Sequence, residues 1–140
     1  MVRRVYLSVS LQRAPHAEWV DHELTRYGYE VSNPCRIDLP EGPKEEYPAS
    51  VALACYQLID DADAVVLLAD YYGRDCAAEI GYAYAIGRPV VALLQEARES
   101  DLLQADWMLR PAVSRLTRSI PDLMAALDQA GELSRSRRAL

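Results

Sequence analysis

The residue with the strongest claim to chemistry is Glu79, set in the stretch from Asp70 to Val90. An apolar run, Ala64 to Ala69, precedes that stretch and reads as a buried parallel strand. A loop follows, then a short helix rich in small residues that ends at Gly87, a natural C-cap. Arg88 and Pro89 break the pattern, and Val90 to Leu94 reads as the next strand. The unit is therefore strand, loop, helix, strand, with Glu79 placed in the helix's first turn. In open α/β sheets ligands bind beyond the carboxyl ends of the strands, where this loop and Glu79 fall. An acid in a first helical turn also has a plain account, since free N–H groups and the helix dipole favour it. Two features favour chemistry. Ala77, Ala78, Gly81, Ala83 and Ala85 are small, so the helix can lie close to the sheet and bring Glu79 to the mouth of a cleft. The helix N-terminus would also hold the carboxylate ionised, as a nucleophile must be.

The elements that position this residue follow from periodicity. Val2 to Val9 is rich in β-branched and apolar residues and predicts a first strand. Pro15 suits a helix start, and Trp19, Val20, Leu24 and Tyr27 recur at helical spacing over Ala17 to Tyr27. Gly28 ends that helix, and Tyr29 to Val31 reads as a short second strand. Residues 32–47 carry Pro34, Pro40, Gly42 and Pro43, which forbid regular structure, and form either a lid over the cleft or a plain surface loop. Ala49 to Asp61 predicts a second helix with Val51, Ala54, Cys55, Leu58 and Ile59 on its buried stripe. Asp60 and Asp61 sit near its C-terminal end, where the dipole disfavours acids. Glu96 to Leu109 reads as loop then helix, and Pro111 to Leu116 as an edge strand. Ser119 is a good N-cap with Pro121 just inside, opening a last helix to about Gln129, with Gly131 after it. Five strands alternating with helices predict an α/β three-layer sandwich with a parallel sheet covered on both faces, for which we choose the flavodoxin-like order 2-1-3-4-5. Its switch point, between the first and third strands, sets Tyr6 to Gln12 beside the loop at 70–79.

Composition narrows the partners. The 140 residues are expected to form one domain over 1–133, with 134–140 a basic tail. The net charge of -6 argues against a nucleic-acid or membrane surface, which needs a basic footprint, yet permits a small nucleoside ligand. No apolar run is long enough to span a bilayer. Cys35, Cys55 and Cys76 are odd in number and widely spaced, so reduced thiols and a cytoplasmic setting are expected, with no metal or cofactor. His16 and His22, six apart, do not suit ligation from one helix face and read as solvent-facing.

The run Glu79-Ile-Gly-Tyr-Ala-Tyr-Ala-Ile-Gly-Arg-Pro-Val90, after the strand start at Ala62-Asp63, resembles the nucleoside 2-deoxyribosyltransferase family, which includes nucleoside 5'-monophosphate N-glycosidases. The likeness is strongest over residues 62–94 and weaker at the N-terminus and over 104–111. It implies a flavodoxin-like fold and a glutamate nucleophile at Glu79. It also implies a tyrosine at Tyr6 that hydrogen-bonds the nucleophile; a half-buried strand aromatic is the plain alternative. Breaking an N-glycosidic bond requires attack at the anomeric carbon, stabilisation of oxocarbenium-like charge, and help for the departing base.

The resemblance carries further residues, and several depart from it. Ser10 matches a ligand-contacting serine. The nucleotide-cleaving branch has glycine before that serine and arginine two residues after it; here those are Val9 and Gln12. The former hinders close approach to phosphate and the latter carries no charge. An aspartate contacting the sugar or departing group is replaced by Cys55, a weak hydrogen-bond partner. The transferases' base-holding acid, six residues before the nucleophile, is here Gly73. Asp75 could take that role, or be a solvated loop acid or N-cap. Asp106 stands where the family has a polar residue reaching into a neighbouring subunit's site, with Met108 following. A carboxylate there would repel phosphate but could accept from a free 5'-hydroxyl. The plain alternative is an exposed helix acid.

Three functions follow. The favoured one is cleavage or transfer at the N-glycosidic bond of a free nucleoside. The second is a nucleoside- or nucleotide-binding or signalling module that has lost turnover, which Cys55 and Gly73 motivate. The third is a nucleoside 5'-monophosphate N-glycosidase. Trp107, Met108 and Leu109 beside Asp106 predict a homodimer or larger homo-oligomer with a shared active site. The alternative is that Trp107 and Leu109 pack a helix onto the sheet.

Overall fold

A computed structural model describes residues 2–96 and 106–138. In chain order the regular elements are β1 (Arg4–Ser8), α1 (Ala14–Arg26), β2 (Glu30–Ser32), α2 (Ala49–Asp61), β3 (Ala64–Leu68), α3 (Arg74–Ala85), β4 (Val90–Leu93), β5 (Arg115–Thr117) and α4 (Ile120–Arg138). The strands form one parallel sheet in the order β2-β1-β3-β4-β5, the order chosen from the sequence. Most of the expected loop and helix between 96 and 109 lies outside the described residues.

The two-residue period of each strand divides the core into two layers. Val5, Leu7, Val66, Leu68, Val91 and Leu93 face α1 and α4, meeting Val20, Leu24, Leu123 and Leu127. Tyr6, Val65, Leu67, Val90 and Ala92 face the opposite way, towards Ile59 of α2 and Cys76, Ile80 and Ala83 of α3. Strands buried on both faces explain the near-continuous apolar run over β3. At the end of α3, Gly87 takes φ +77°, a conformation in which any other residue would be strained, and turns the chain into β4.

Several boundaries differ from the sequence reading for physical reasons. Pro111 lies inside a 3-10 turn, Arg110–Ala112, instead of starting a strand, because it has no N–H to give the ladder; pairing begins at Arg115 opposite Val91. Ser119 caps α4 as expected, its Oγ accepting from the Asp122 N–H at 3.2 Å. However, α4 continues through Gly131 to Arg138, past the expected end near Gln129. One interior glycine costs only about 1 kcal/mol against alanine, too little to end a helix already under way. His16 is half-buried, not solvent-facing, because its ring stacks on Trp19 with centroids 5.9 Å apart. The acids closing α2 find specific partners. Asp60 accepts from the Tyr82 hydroxyl at 2.5 Å, while Arg88 donates to the Asp60 carbonyl at 2.8 Å. Asp61 accepts from Gln57 at 3.2 Å.

The α2 stripe is a more informative departure. Of the five residues expected to be buried, only Ile59 is; Val51, Cys55 and Leu58 are half-buried and Ala54 is exposed. The N-terminal half of α2 walls a cavity, and its apolar side chains line that space instead of the core.

Candidate active site

Glu79 lies on the stripe of α3 that faces the sheet, with Cys76, Ile80 and Ala83. Those positions are spaced as i, i+3, i+4 and i+7, so the helix presents a carboxylate where its period calls for an apolar side chain. Glu79 is 8% exposed. Its position corrects the sequence reading: α3 begins at Arg74, so Asp75 is the acid of the first turn and Glu79 falls in the second.

Two hydroxyls from β1 meet this carboxylate. Tyr6 and Ser8 project from the same face of the strand. The Tyr6 hydroxyl donates to Oε2 in a short hydrogen bond, and Ser8 Oγ donates to Oε1 at 3.2 Å. Burial raises the Glu79 pKa from 4.5 to about 7. The bonds from Tyr6 and Ser8 act the other way, Asp75 raises it slightly and Lys44 lowers it. The expectation that the helix end keeps Glu79 fully ionised is therefore corrected, because desolvation outweighs the groups that favour the charge. Tyr6 is held well above its usual range, first by burial and then by Glu79, so it is a donor at any working pH.

The sequence-derived residues divide into three groups around this pair. Cys55, from α2, lies near the Tyr6 hydroxyl, and its thiol pKa is raised first by burial. Cys55, Asp75, Tyr6 and Glu79 line one cavity of about 310 Å³, whose other walls are largely apolar, among them Val9, Leu39, Val51 and Tyr56. Ser10, Gln12, Gly73 and Asp75 line a second, more open cavity of about 540 Å³ beside it, with Tyr72 and Arg74. Asp106 and Met108 line neither. Asp106 reaches the site through Tyr72, whose hydroxyl donates to it at 3.0 Å and whose pKa is pushed up to about 12, first by burial and then by that carboxylate. Met108 is 66% exposed and Trp107 68%, so Trp107 does not pack onto the sheet, whereas Leu109 is buried.

Two residues of this site went unassigned in the sequence. Ser8 could have been found from strand alternation, since it must share the face of Tyr6. Lys44 lies in the irregular stretch, where no periodicity points inward. Its Nζ lies 2.9 Å from Asp75 Oδ2, and both residues line both cavities. All three cysteines are free thiols. Among the described residues no group of three or more His, Cys, Asp and Glu gathers as a metal site, and no helix is long and apolar enough to cross a membrane.

The parallel sheet with its β1–β3 switch point, and a buried, hydroxyl-bound carboxylate beside it, define a flavodoxin-like domain with a cleft at the carboxyl edge of the sheet. The sequence pattern of nucleoside 2-deoxyribosyltransferases matches residues 5–129, and the chain belongs to that family. Among solved structures, a conserved protein from Enterococcus faecalis is similar at 22% identity and a TM-score of 0.70, over 92% of this chain and 99% of that one. A 2-deoxyribosyltransferase from Bacillus psychrosaccharolyticus is similar at 20% identity and a TM-score of 0.68, over 89% and 95%. The CMP N-glycosidase of Clostridium botulinum gives 18% and 0.55, over 91% and 98%. At these identities the likenesses establish the fold. No curated protein matches the sequence.

Proposed function

We propose that the protein cleaves or transfers the N-glycosidic bond of a free nucleoside, with Glu79 as nucleophile. One observation carries the reading: a buried carboxylate on the sheet-facing stripe of α3, bonded by Tyr6 and Ser8, forms part of a cavity wall. A carboxylate buried beside a largely apolar cavity is costly, which marks it as a candidate for function, and family membership suggests which one. Ionised Glu79 attacks the anomeric carbon, the bond to the base breaks, and a glycosyl ester remains. Water or a second base then resolves the ester and frees the carboxylate. Tyr6 and Ser8 fix the rotamer of Glu79 and favour its ionised form, partly offsetting burial. The test is incubation with deoxynucleosides, with and without a second free base. Release or exchange of base is expected, and well-folded protein that turns over no nucleoside or nucleotide sinks the reading.

A second reading is a binding module without turnover. It is favoured by Cys55, whose thiol meets Tyr6 where the family resemblance implies a carboxylate. It wins if the parent protein binds a nucleoside without turnover and Glu79→Ala leaves that affinity intact.

A further inference from the structure

The arm between β2 and α2 brings one basic side chain to the cleft. Gly42, at φ +98°, reverses the chain, and Pro43 opens a 3-10 turn over Lys44–Glu46. That turn is closed by backbone hydrogen bonds from Glu46 to Pro43 and from Tyr47 to Lys44, each 3.0 Å. Lys44 is therefore carried on an ordered segment. Its side chain spans the mouth of the cleft to Asp75 on α3, at 2.9 Å. Lys44 is the only basic residue among the described residues lining the cavity that contains Glu79. Its charge is felt at Glu79, where it favours the ionised form. The pair is solvent-accessible, with side chains 46% and 70% exposed, and exposed pairs of this kind are weak enough for a ligand to displace.

The proposed reaction needs a proton for its leaving group. The other polar side chains of that cavity are two carboxylates, Asp75 and Glu79, the Cys55 thiol, and the hydroxyls of Tyr6, Tyr47 and Tyr56. Tyr6 is committed to Glu79, and Cys55 is a weak hydrogen-bond partner. We propose that Lys44 is the catalytic acid that protonates the departing base, with Asp75 holding its ammonium at the cleft mouth. The proposal rests on the glycosidic reading above. As the Glu79 oxygen bonds to the anomeric carbon, the carbon–nitrogen bond breaks and its electron pair stays on the base. A proton from Lys44 Nζ neutralises the base, leaving a neutral amine. The water that hydrolyses the ester, or the N–H of an incoming base, returns a proton to Lys44 as Glu79 leaves. Atoms and charge balance over the cycle with no further reactant.

The experiment compares two nucleosides with the same sugar, one carrying an ordinary base and one an electron-poor base whose anion departs without a proton. Lys44→Met is expected to slow release of the ordinary base about 100-fold while slowing the electron-poor base only a few-fold. Lys44→Arg should behave like Lys44→Met, since a guanidinium keeps the charge but does not give up its proton. Equal losses on both substrates would mean that Lys44 only shapes the cleft, which overturns the assignment and leaves the glycosidic reading standing. Full recovery in Lys44→Arg would show that charge suffices and also overturns it. If the parent protein turns over neither substrate, the glycosidic reading fails, and this one with it.

Discussion

As the proposed nucleophile, Glu79 would have to carry its charge in a place that penalises charge. Burial sets its pKa near 7, so a large share of the ligand-free protein carries it neutral at neutral pH. If it is the nucleophile, kcat/KM should fall as pH drops through about 7, and a profile flat from pH 5 to 8 would exclude that role. Tyr6→Phe removes a bond that favours the ionised form, so the acid limb should move to higher pH. The same shift has a consequence for folding. A carboxyl whose folded pKa lies above its unfolded value contributes stability below the unfolded value, 4.5, and loses it as pH rises to about 7. The loss is on the order of 3 kcal/mol. Glu79→Gln should therefore abolish turnover by more than about 10³-fold yet stabilise the protein at pH 8, with the gain vanishing below pH 4.5. Denaturant melts of both proteins at pH 4 and 8 would check it; equal stabilities at pH 8 would contradict the burial argument.

Between elements, the site depends on how loops are tied at the carboxyl edge of the sheet. Asp70, 2% exposed, follows β3 and accepts the backbone N–H groups of Gln95 (3.1 Å) and Glu96 (2.6 Å) after β4. Asp70→Ala leaves those donors unpaired and should cost about 2 kcal/mol, read as a lower denaturation midpoint at unchanged m-value. A loss under about 0.5 kcal/mol would mean that water replaces the carboxylate without penalty. How much of this was legible in the sequence follows from what makes a pattern. β3 and α2 were readable because apolar runs and helical spacing are local, and Pro48 and Ala62 bound α2 at the ends predicted. Tyr6 and Glu79 were readable as partners through the strand order, which sets their elements side by side, together with the family resemblance. The turn assigned to Glu79 was missed because Gly73 and Arg74 carry no strong start signal, so the helix begins a turn earlier than its small-residue stretch advertises. Lys44 was not readable, since its direction is decided by Gly42 and by Asp75, thirty-one residues away.

At the scale of the whole molecule, the surface beside Asp106 leaves two large apolar side chains exposed. Trp107 and Met108 are adjacent, large, apolar and about two-thirds exposed, although they follow a half-buried aspartate tied to the cleft residue Tyr72. Tryptophan and methionine are enriched where subunits meet, and burying them would repay the ordering of this turn. The expected assembly is a homo-oligomer, at least a dimer, in which a neighbour's segment closes the open side of the cleft and excludes water from the glycosidic bond. Sedimentation at micromolar concentration should show a species larger than the 15.7 kDa chain, and Trp107→Glu should return it to monomer. A parent protein that sediments as a monomer rules the shared site out. Where an oligomer forms, mixing Glu79→Ala with Asp106→Ala subunits should restore part of the turnover, because some sites would then draw both side chains intact from different chains. Full loss on mixing, with oligomers still present, would place Asp106 in service of its own subunit, through the Tyr72 hydroxyl it already accepts.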